Sequence, residues 1–174
     1  MNMRHTAVIA LALLLSGHIG ATTAAAESLK IEVHLSNPKQ LRIDFPLVGA
    51  DNHYTALAKR EGVIPAGYTW AGAKVEEVGH HDVYPGDQVR GTGYIMVTLP
   101  NGEQIAMRHE FMTAFLPTPD GKVGPVEHGV WTIIGGTGSL ARSRGVGRFQ
   151  IKRIPADANV RVWELTGDIA VGGK

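Results

Sequence analysis

Short runs of alternating apolar and polar residues, separated by glycines and prolines, restrict the fold of this chain more than any other feature. Leu29–Leu35 and Leu41–Phe45 each alternate cleanly, on either side of Asn37-Pro38. In a β-strand, a period of two places successive side chains on opposite faces. The 174 residues include 22 glycines and nine prolines, which fall mainly between such runs. The pattern therefore predicts an all-β protein.

The rest of the chain continues this pattern. Residues 54–61 fit either a strand or a helical turn, and Gly79–Asp82 is expected to end a strand in a loop at the rim of the sheet. Pro100-Asn101-Gly102 is a hairpin-turn signal. About eight strands with short connections favour an antiparallel meander that closes into a barrel, because closure leaves no unpaired edge. The further predicted strands are Gly72–Val78, Val89–Leu99, Glu103–Phe115, Val126–Ile134, Arg144–Ile154 and Val160–Val171.

Residues 1–26 have the layout of a cleavable signal peptide. Arg4 lies in a short n-region, Ala7–Leu15 is apolar throughout, and small residues lead to an A-x-A site at Ala24–Ala26. The apolar run is too short to span a bilayer, which takes about 20 residues. An N-terminal core helix is the alternative, but no amphipathic pattern continues past residue 16. We expect residues 27–174 to form one domain that is secreted or periplasmic, without membrane insertion after processing.

Charge and cysteine content argue against several classes of function. Arg4 is the one lysine or arginine in residues 1–26, so the remainder carries 16 basic residues against 16 acidic ones. A neutral domain lacks the basic field that gathers phosphates, and we expect no nucleic-acid partner. The chain has no cysteine, which excludes a disulfide framework, a thiolate metal site and a cysteine nucleophile. No nucleophile elbow or Ser-His-Asp order supports a hydrolase triad.

The segment Trp131–Phe149, WTIIGGTGSLARSRGVGRF, contains a motif of moderate specificity. A strand runs into Gly-Gly-Thr-Gly, six residues follow, and Gly145 precedes another strand. This arrangement resembles the allene oxide cyclase-like barrel superfamily, which includes plant allene oxide cyclases and dirigent proteins. Arg144 and Gly145 fall on the Arg-Gly pair of the dirigent motif. Leu140 and Ser143 stand where that motif usually has Phe and Ala.

The resemblance implies a calycin-type, eight-stranded antiparallel β-barrel with a central ligand cavity, and a trimeric assembly like that of the plant proteins. It covers about residues 88–153. The N-terminal half has none of the acidic motifs associated with plant cyclase or dirigent chemistry, so the resemblance implies the fold more than a reaction. Arg144 matches the family's arginine at the mouth of the pocket. Its guanidinium could hold a carboxylate or stabilise developing negative charge.

One strand, Glu103–Phe115, carries the candidate catalytic residues. Its odd positions are the more apolar and include His109. If they line the barrel, His109 is an ionisable group in an apolar cavity and can act as an acid or base near neutral pH. A slip of one residue would instead turn Arg108 and Glu110 inward. The sequence leaves both registers open, and a structural histidine bonded to a carbonyl is the alternative role for His109.

Further side chains are candidates for ligand or metal binding. His80, His81 and Asp82 suggest a metal site by composition, together with His109 and His128. Adjacent histidines on a strand point to opposite faces and no H-x-H spacing occurs, so we expect no metal and no cofactor. The predicted ligand-binding residues are Tyr94, Met107, Phe111, His128 and Trp131.

Two functions are consistent with these observations. The first is an exported, dirigent-like protein that binds or orients a small apolar molecule in the barrel cavity. The alternative is a cyclase or isomerase acting on an apolar metabolite, with His109 as acid or base and Arg144 as anion stabiliser. In either case a cavity can act mainly by holding one conformation of its ligand. Val126–Ile134 is apolar on both faces, which predicts a homo-oligomer, in the first instance a trimer.

Overall fold

A computed structural model describes residues 26–36, 39–44, 52–84, 88–117, 121–154 and 157–172. The predicted signal peptide lies outside the described residues except for Ala26, which begins the first strand. The described ranges contain no helix that is long and apolar enough to cross a membrane.

The described residues form nine β-strands and a 3₁₀ turn at Gly138–Leu140. All strand pairings are antiparallel, and the all-β prediction is confirmed. Residues 54–61, which fitted a strand or a helical turn, belong to a strand. The strands are β1 (Ala26–Leu35), β2 (Lys39–Asp44), β3 (Tyr54–Val63), β4 (Lys74–Tyr84), β5 (Gln88–Thr98), β6 (Gln104–Pro117), β7 (Val123–Gly136), β8 (Arg144–Ile154) and β9 (Asp157–Ala170).

Eight of these strands close into a ring. The sheet order is β1-β9-β8-β7-β6-β5-β4-β3-β2, and β3 also pairs with β1 through Gly62 and Leu35. β2 extends the line of β1 along β3, from Lys39 opposite Lys59 to Asp44 opposite Tyr54. The structure is therefore an eight-stranded antiparallel barrel, as predicted, with β2 as an additional strand beside β3.

The prediction that β4 ends at Gly79–Asp82 is wrong. Pairing with both neighbours continues past this segment, with His81 opposite Ala56 of β3 and Gly91 of β5. Because the backbone stays extended, the adjacent histidines point to opposite faces: His81 is buried and His80 is exposed.

Alternation along β6 decides which side chains fill the barrel. Ile105, Met107, His109, Phe111 and Thr113 are all buried. The intervening Gln104, Arg108, Glu110 and Met112 are exposed. The odd positions therefore face the interior, and the shifted register that would turn Arg108 and Glu110 inward does not occur.

Large aromatic rings occupy the middle of the barrel because glycines on neighbouring strands leave space for them. A Cβ at Gly147 or Gly167 would overlap the indole of Trp131, and a Cβ at Gly91 would overlap the ring of Phe111. Trp131, Trp163 and Phe149 are each almost completely buried. The central interior is thus filled by side chains.

The two ends of the barrel differ in polarity. At the end where β4, β6 and β8 begin, here called the closed end, Ile64, Ala73 and Leu140 belong to the apolar core, and Tyr68 and Trp70 pack against it. At the opposite end, here called the polar end, the barrel contains charged and neutral polar side chains as well as apolar ones.

Candidate functional site

Four ionisable side chains meet inside the barrel. Arg60 comes from β3, Glu77 and His81 from β4, and His109 from β6. Each occupies an inward position of its strand, and their exposed fractions are 9%, 0%, 5% and 1%. We call these four residues the interior cluster.

Glu77 is at the centre of the interior cluster. Arg60 Nη1 donates a hydrogen bond to Glu77 Oε2 over 2.7 Å. The other carboxylate oxygen, Oε1, lies 3.4 Å from His109 Nε2 and 4.0 Å from His81 Nε2. A single carboxylate therefore faces one permanent cation and two imidazoles.

The surroundings of the cluster set its protonation. Burial alone would raise the pKa of Glu77, but the contact with His109 and the charge of Arg60 outweigh it and hold that pKa below its usual range. Burial, followed by the positive charge of Arg60, lowers the pKa of His81 to about 4. At neutral pH the cluster thus contains an ionised Glu77 and a neutral His81.

Several polar atoms of the cluster have hydrogen-bonding capacity that the described part of the chain does not use. They are Arg60 Nε, Glu77 Oε1, His81 Nε2 and both ring nitrogens of His109. Buried polar atoms in proteins are nearly always hydrogen-bonded. Here Glu77 Oε1 faces His109 Nε2 and His81 Nε2 only at 3.4 and 4.0 Å, and Arg60 Nε and His109 Nδ1 have no hydrogen-bond partner among the described residues. This arrangement marks the cluster as a candidate functional site, since ionisable groups in low dielectric often have a chemical role.

Aromatic rings enclose His109. Its ring lies 5.4 Å from that of Trp163 and 5.8 Å from that of Phe149, edge to face in both cases. Phe149 and Trp163 stack on each other at 4.9 Å. His109 is therefore buried among aromatic rings, and its polar contact in the cluster is with the carboxylate of Glu77.

A small pocket lies at the polar end, above the interior cluster. Its volume is about 130 Å³, which is space for about four water molecules at roughly 30 Å³ each. We call it the end pocket. Arg60 and His81 of the cluster line it, beside the rings of Phe111 and Trp163. Its other lining residues are Gln40, Tyr54, Val83, Val89, Thr113, Glu127, Ile151 and Arg161.

A wider hollow of about 910 Å³ lies on the outer surface, across β4 to β8. Outward side chains such as His80, Arg90, Glu110, His128 and Arg148 line it. It is an open surface feature, separated from the interior cluster by the sheet.

The structure divides the predicted site residues between inside and outside. His109, Met107, Phe111 and Trp131 are buried in the barrel. Of these four, Phe111 is the one that lines the end pocket.

Four predicted site residues lie outside the barrel. The prediction that Tyr94 and His128 line its cavity is wrong, Glu110 faces outward because the shifted register does not occur, and Arg144 does not lie at the mouth of the end pocket. Tyr94 is 55% exposed, and Glu110 and His128 are also exposed. Each is one residue out of phase with the inward positions of its strand. Arg144 is exposed at the closed end, where its Nη1 donates to the carbonyl of Ser143 over 2.8 Å. His109 and Arg144 therefore do not share a site.

Arg60 and Glu77 were not among the site residues predicted from the sequence. β3 was ambiguous in sequence, so the face of Arg60 was undefined, and β4 was expected to end before its histidines. The signal was present, however, because Glu77 is in phase with Val75 and Val83 on β4. A charged residue at an apolar-face position indicates an interior partner.

The histidines considered for a metal site do not come together. His81 and His109 are inside the barrel, whereas His80 and His128 are outside. Within the described ranges, no group of three histidine, aspartate or glutamate side chains has the arrangement to hold a metal ion.

Fold and site together define an antiparallel β-barrel protein with a buried ionisable cluster beneath a small end pocket. No family model matches the chain, and no curated protein matches it. A solved Clostridium acetobutylicum ATCC 824 protein of unknown function is similar, with a TM-score of 0.50 and 11% identity over 82% of this chain and 98% of that one. A pterocarpan synthase dirigent protein is similar with a TM-score of 0.45 and 10% identity, over 83% and 88% of the respective chains. At 11% identity the similarity to the Clostridium protein concerns the fold alone.

Proposed function

We propose that this protein binds a small molecule in the end pocket of its barrel. The observation that carries the proposal is that Arg60 and His81 belong both to the interior cluster and to the lining of the end pocket. A ligand entering this pocket meets a buried cation and a buried imidazole. Binding sites typically combine apolar walls with a few such polar groups.

The volume and lining of the end pocket limit the ligand. Pockets for drug-sized molecules measure about 300–1,000 Å³, whereas this one measures about 130 Å³. Phe111 and Trp163 offer ring surfaces to an apolar part, and Arg60 and His81 offer contacts to a polar group. The apolar ligand expected from the sequence is accordingly narrowed to a small molecule with one polar end.

Binding and orientation fit this geometry better than the cyclase or isomerase alternative. That alternative paired His109 with Arg144, yet Arg144 lies on the outer surface at the closed end. His109 is 1% exposed and does not line the end pocket. Among the imidazoles of the cluster, His81 is the one placed to meet a ligand.

Export and self-association belong to the same proposal. The pattern of residues 1–26 supports a secreted or periplasmic location. Val126, Val130 and Ile134 on the outer face of β7 are 48%, 53% and 53% exposed. An apolar row of this kind supports a homo-oligomer, with a trimer as the first expectation. A light-scattering mass equal to one chain at micromolar concentration would count against self-association and leave the binding proposal intact.

Filling the end pocket tests the binding proposal. Val89→Phe adds a ring to a residue that lines the pocket, whereas Val78→Phe adds the same ring at an exposed position of β4. A library of fragments with up to about nine heavy atoms is screened by NMR, following the indole N–H of Trp163. We expect several fragments to shift this resonance, and Val89→Phe to weaken them about tenfold or more, the effect of about 1.4 kcal/mol. Equal binding to wild type and Val89→Phe would exclude the end pocket as the site.

A further inference from the structure

We propose that the end pocket selects a small monoanion, such as a carboxylate on a single ring or short chain, and takes up a proton when the anion binds. This inference rests on the proposed function and names its ligand class. It depends on the donors, the charges and the size of the pocket.

Arg60 supplies the anion-binding donor. Its Nη1 is committed to Glu77, but its Nε has no hydrogen-bond partner among the described residues. The side chain is nine-tenths buried and lines the pocket. Hydrogen bonds between a guanidinium and a carboxylate are about twice as strong as neutral ones. A buried guanidinium that lines the pocket therefore favours an anionic group over a neutral one.

The charges around the pocket explain why a proton accompanies the anion. Arg60 and Arg161 carry positive charges, Glu77 and Glu127 carry negative charges, and all four face the pocket or the cluster beneath it. With the imidazoles of His81 and His109 both uncharged, these formal charges balance. An entering anion then adds one uncompensated negative charge beside the buried cluster, which is costly. Protonation of a nearby imidazole restores the balance.

His81 is the group placed to take up this proton. It lines the pocket, and the charge of Arg60 is one of the two main causes of its low pKa. An anion beside Arg60 offsets that cause and so raises the pKa of His81. The other imidazoles that act on His81 are His109, which faces the same carboxylate oxygen of Glu77, and His80, on the outer face. Neither lines the end pocket.

The pocket walls restrict the body of the ligand. Phe111 and Trp163 present aromatic surfaces, and Val83, Val89 and Ile151 present aliphatic ones. A volume of about 130 Å³ admits a single ring or a few methylene groups but no long chain. Benzoate and its neutral isostere benzamide are matched probes, because they share a ring and differ in charge.

The decisive measurement compares these two probes on the full chain. Arginine is labelled with ¹⁵N, and the Nε–H resonance of Arg60 is followed during titration at about pH 6. We expect benzoate to shift this resonance and to bind at least tenfold more tightly than benzamide. Calorimetry in two buffers of different ionisation enthalpy should show proton uptake by the complex. Benzenesulfonate stays ionised in acid. It should bind more tightly as the pH is lowered toward about 4, which is the pKa of His81 in the ligand-free protein.

Variants identify the residues responsible. Arg60→Gln alone would leave the buried charge of Glu77 without a cation and strongly destabilise the fold. Arg60→Gln is therefore combined with Glu77→Gln. We expect the double variant to lose the preference for benzoate over benzamide. Arg108→Gln, which removes an exposed arginine from the outer face of β6, should keep it. The probe ratio on wild type is decisive even if the double variant does not fold.

The outcomes separate the ligand class from the proposed function. Equal affinity for the two probes, or tighter binding of benzamide, overturns the anion proposal while leaving small-molecule binding in place. Benzoate binding without proton uptake overturns the coupling to His81. If no fragment of any charge reaches the pocket, the proposed function fails, and this inference fails with it.

Discussion

Replacing Glu77 with glutamine removes the negative charge at the centre of the barrel and preserves the shape of the side chain. Arg60 then keeps its charge at 9% exposure, without the carboxylate that lies 2.7 Å from its Nη1. Removing one partner of a buried ion pair costs about 3–5 kcal/mol. Coulomb's law is consistent with this range, because unit charges about 4 Å apart attract by about 4 kcal/mol at an effective dielectric constant of about 20. We expect Glu77→Gln to lower the free energy of unfolding by about 3–5 kcal/mol.

Urea denaturation followed by tryptophan fluorescence near neutral pH measures this loss. For a chain of this length, about 1 kcal/mol corresponds to about 2–4 °C in Tm, so scanning calorimetry should show a decrease of about 10 °C. Glu110→Gln is the matched control, because Glu110 is exposed on β6 and its nearest cation, Arg108, is 3.6 Å away. The control should change stability by no more than about 0.5 kcal/mol.

The double variant Arg60→Gln/Glu77→Gln refines the test. It removes both buried charges. Its free energy of unfolding should therefore be higher than that of Glu77→Gln alone, even though it carries one more substitution. The reasoning is refuted if Glu77→Gln costs no more than Glu110→Gln. It is also refuted if the second substitution destabilises the protein further, because Arg60 would then not be a stranded charge.

Two other substitutions test the burial of His81 and the glycine contacts. His81 takes up a proton below about pH 6.5 in the unfolded chain but only below about pH 4 in the folded one. The free energy of unfolding should therefore fall by about 3 kcal/mol as the pH drops from about 6.5 to about 4, and it should change little below that. His81→Gln should remove most of this dependence in urea titrations at several pH values, whereas His80→Gln should retain it. A Cβ at Gly147 would meet a backbone carbonyl and an indole ring, so Gly147→Ala should lower stability by about 1–3 kcal/mol in urea. Gly135→Ala has open space and should have little effect; equal losses for the two would contradict the close packing.

Local patterns predicted the strands well where alternation was strict. β1, β5 and β6 lie within a few residues of their predicted bounds, and the turn at Gly102 has the positive φ, 85°, that glycine adopts readily. The prediction failed at Gly79–Asp82, where glycine and polar residues resembled a strand end. Pairing partners on both sides keep β4 extended there, and such partners are not visible from the segment alone.

The candidate site was less predictable than the fold. His109 could be singled out from the apolar character of its strand face, but the partner of that histidine could not. Arg60 and Glu77 are 17 residues apart in sequence and lie on adjacent strands. Their contact depends on the register between β3 and β4, which places Arg60 directly opposite Glu77. A single sequence does not specify that register.

The sequence by itself determined the β-strand character, the approximate strand count and which face of β6 is the more apolar, because these depend on the spacing of residues along one strand. The tertiary structure decided which strands close the ring, that aromatic rings fill its middle, and that the end pocket lies at the polar end of the barrel. It also brought Arg60, His81 and His109 around the carboxylate of Glu77. Those outcomes depend on register and volume across several strands, and register and volume arise only when the whole barrel is assembled.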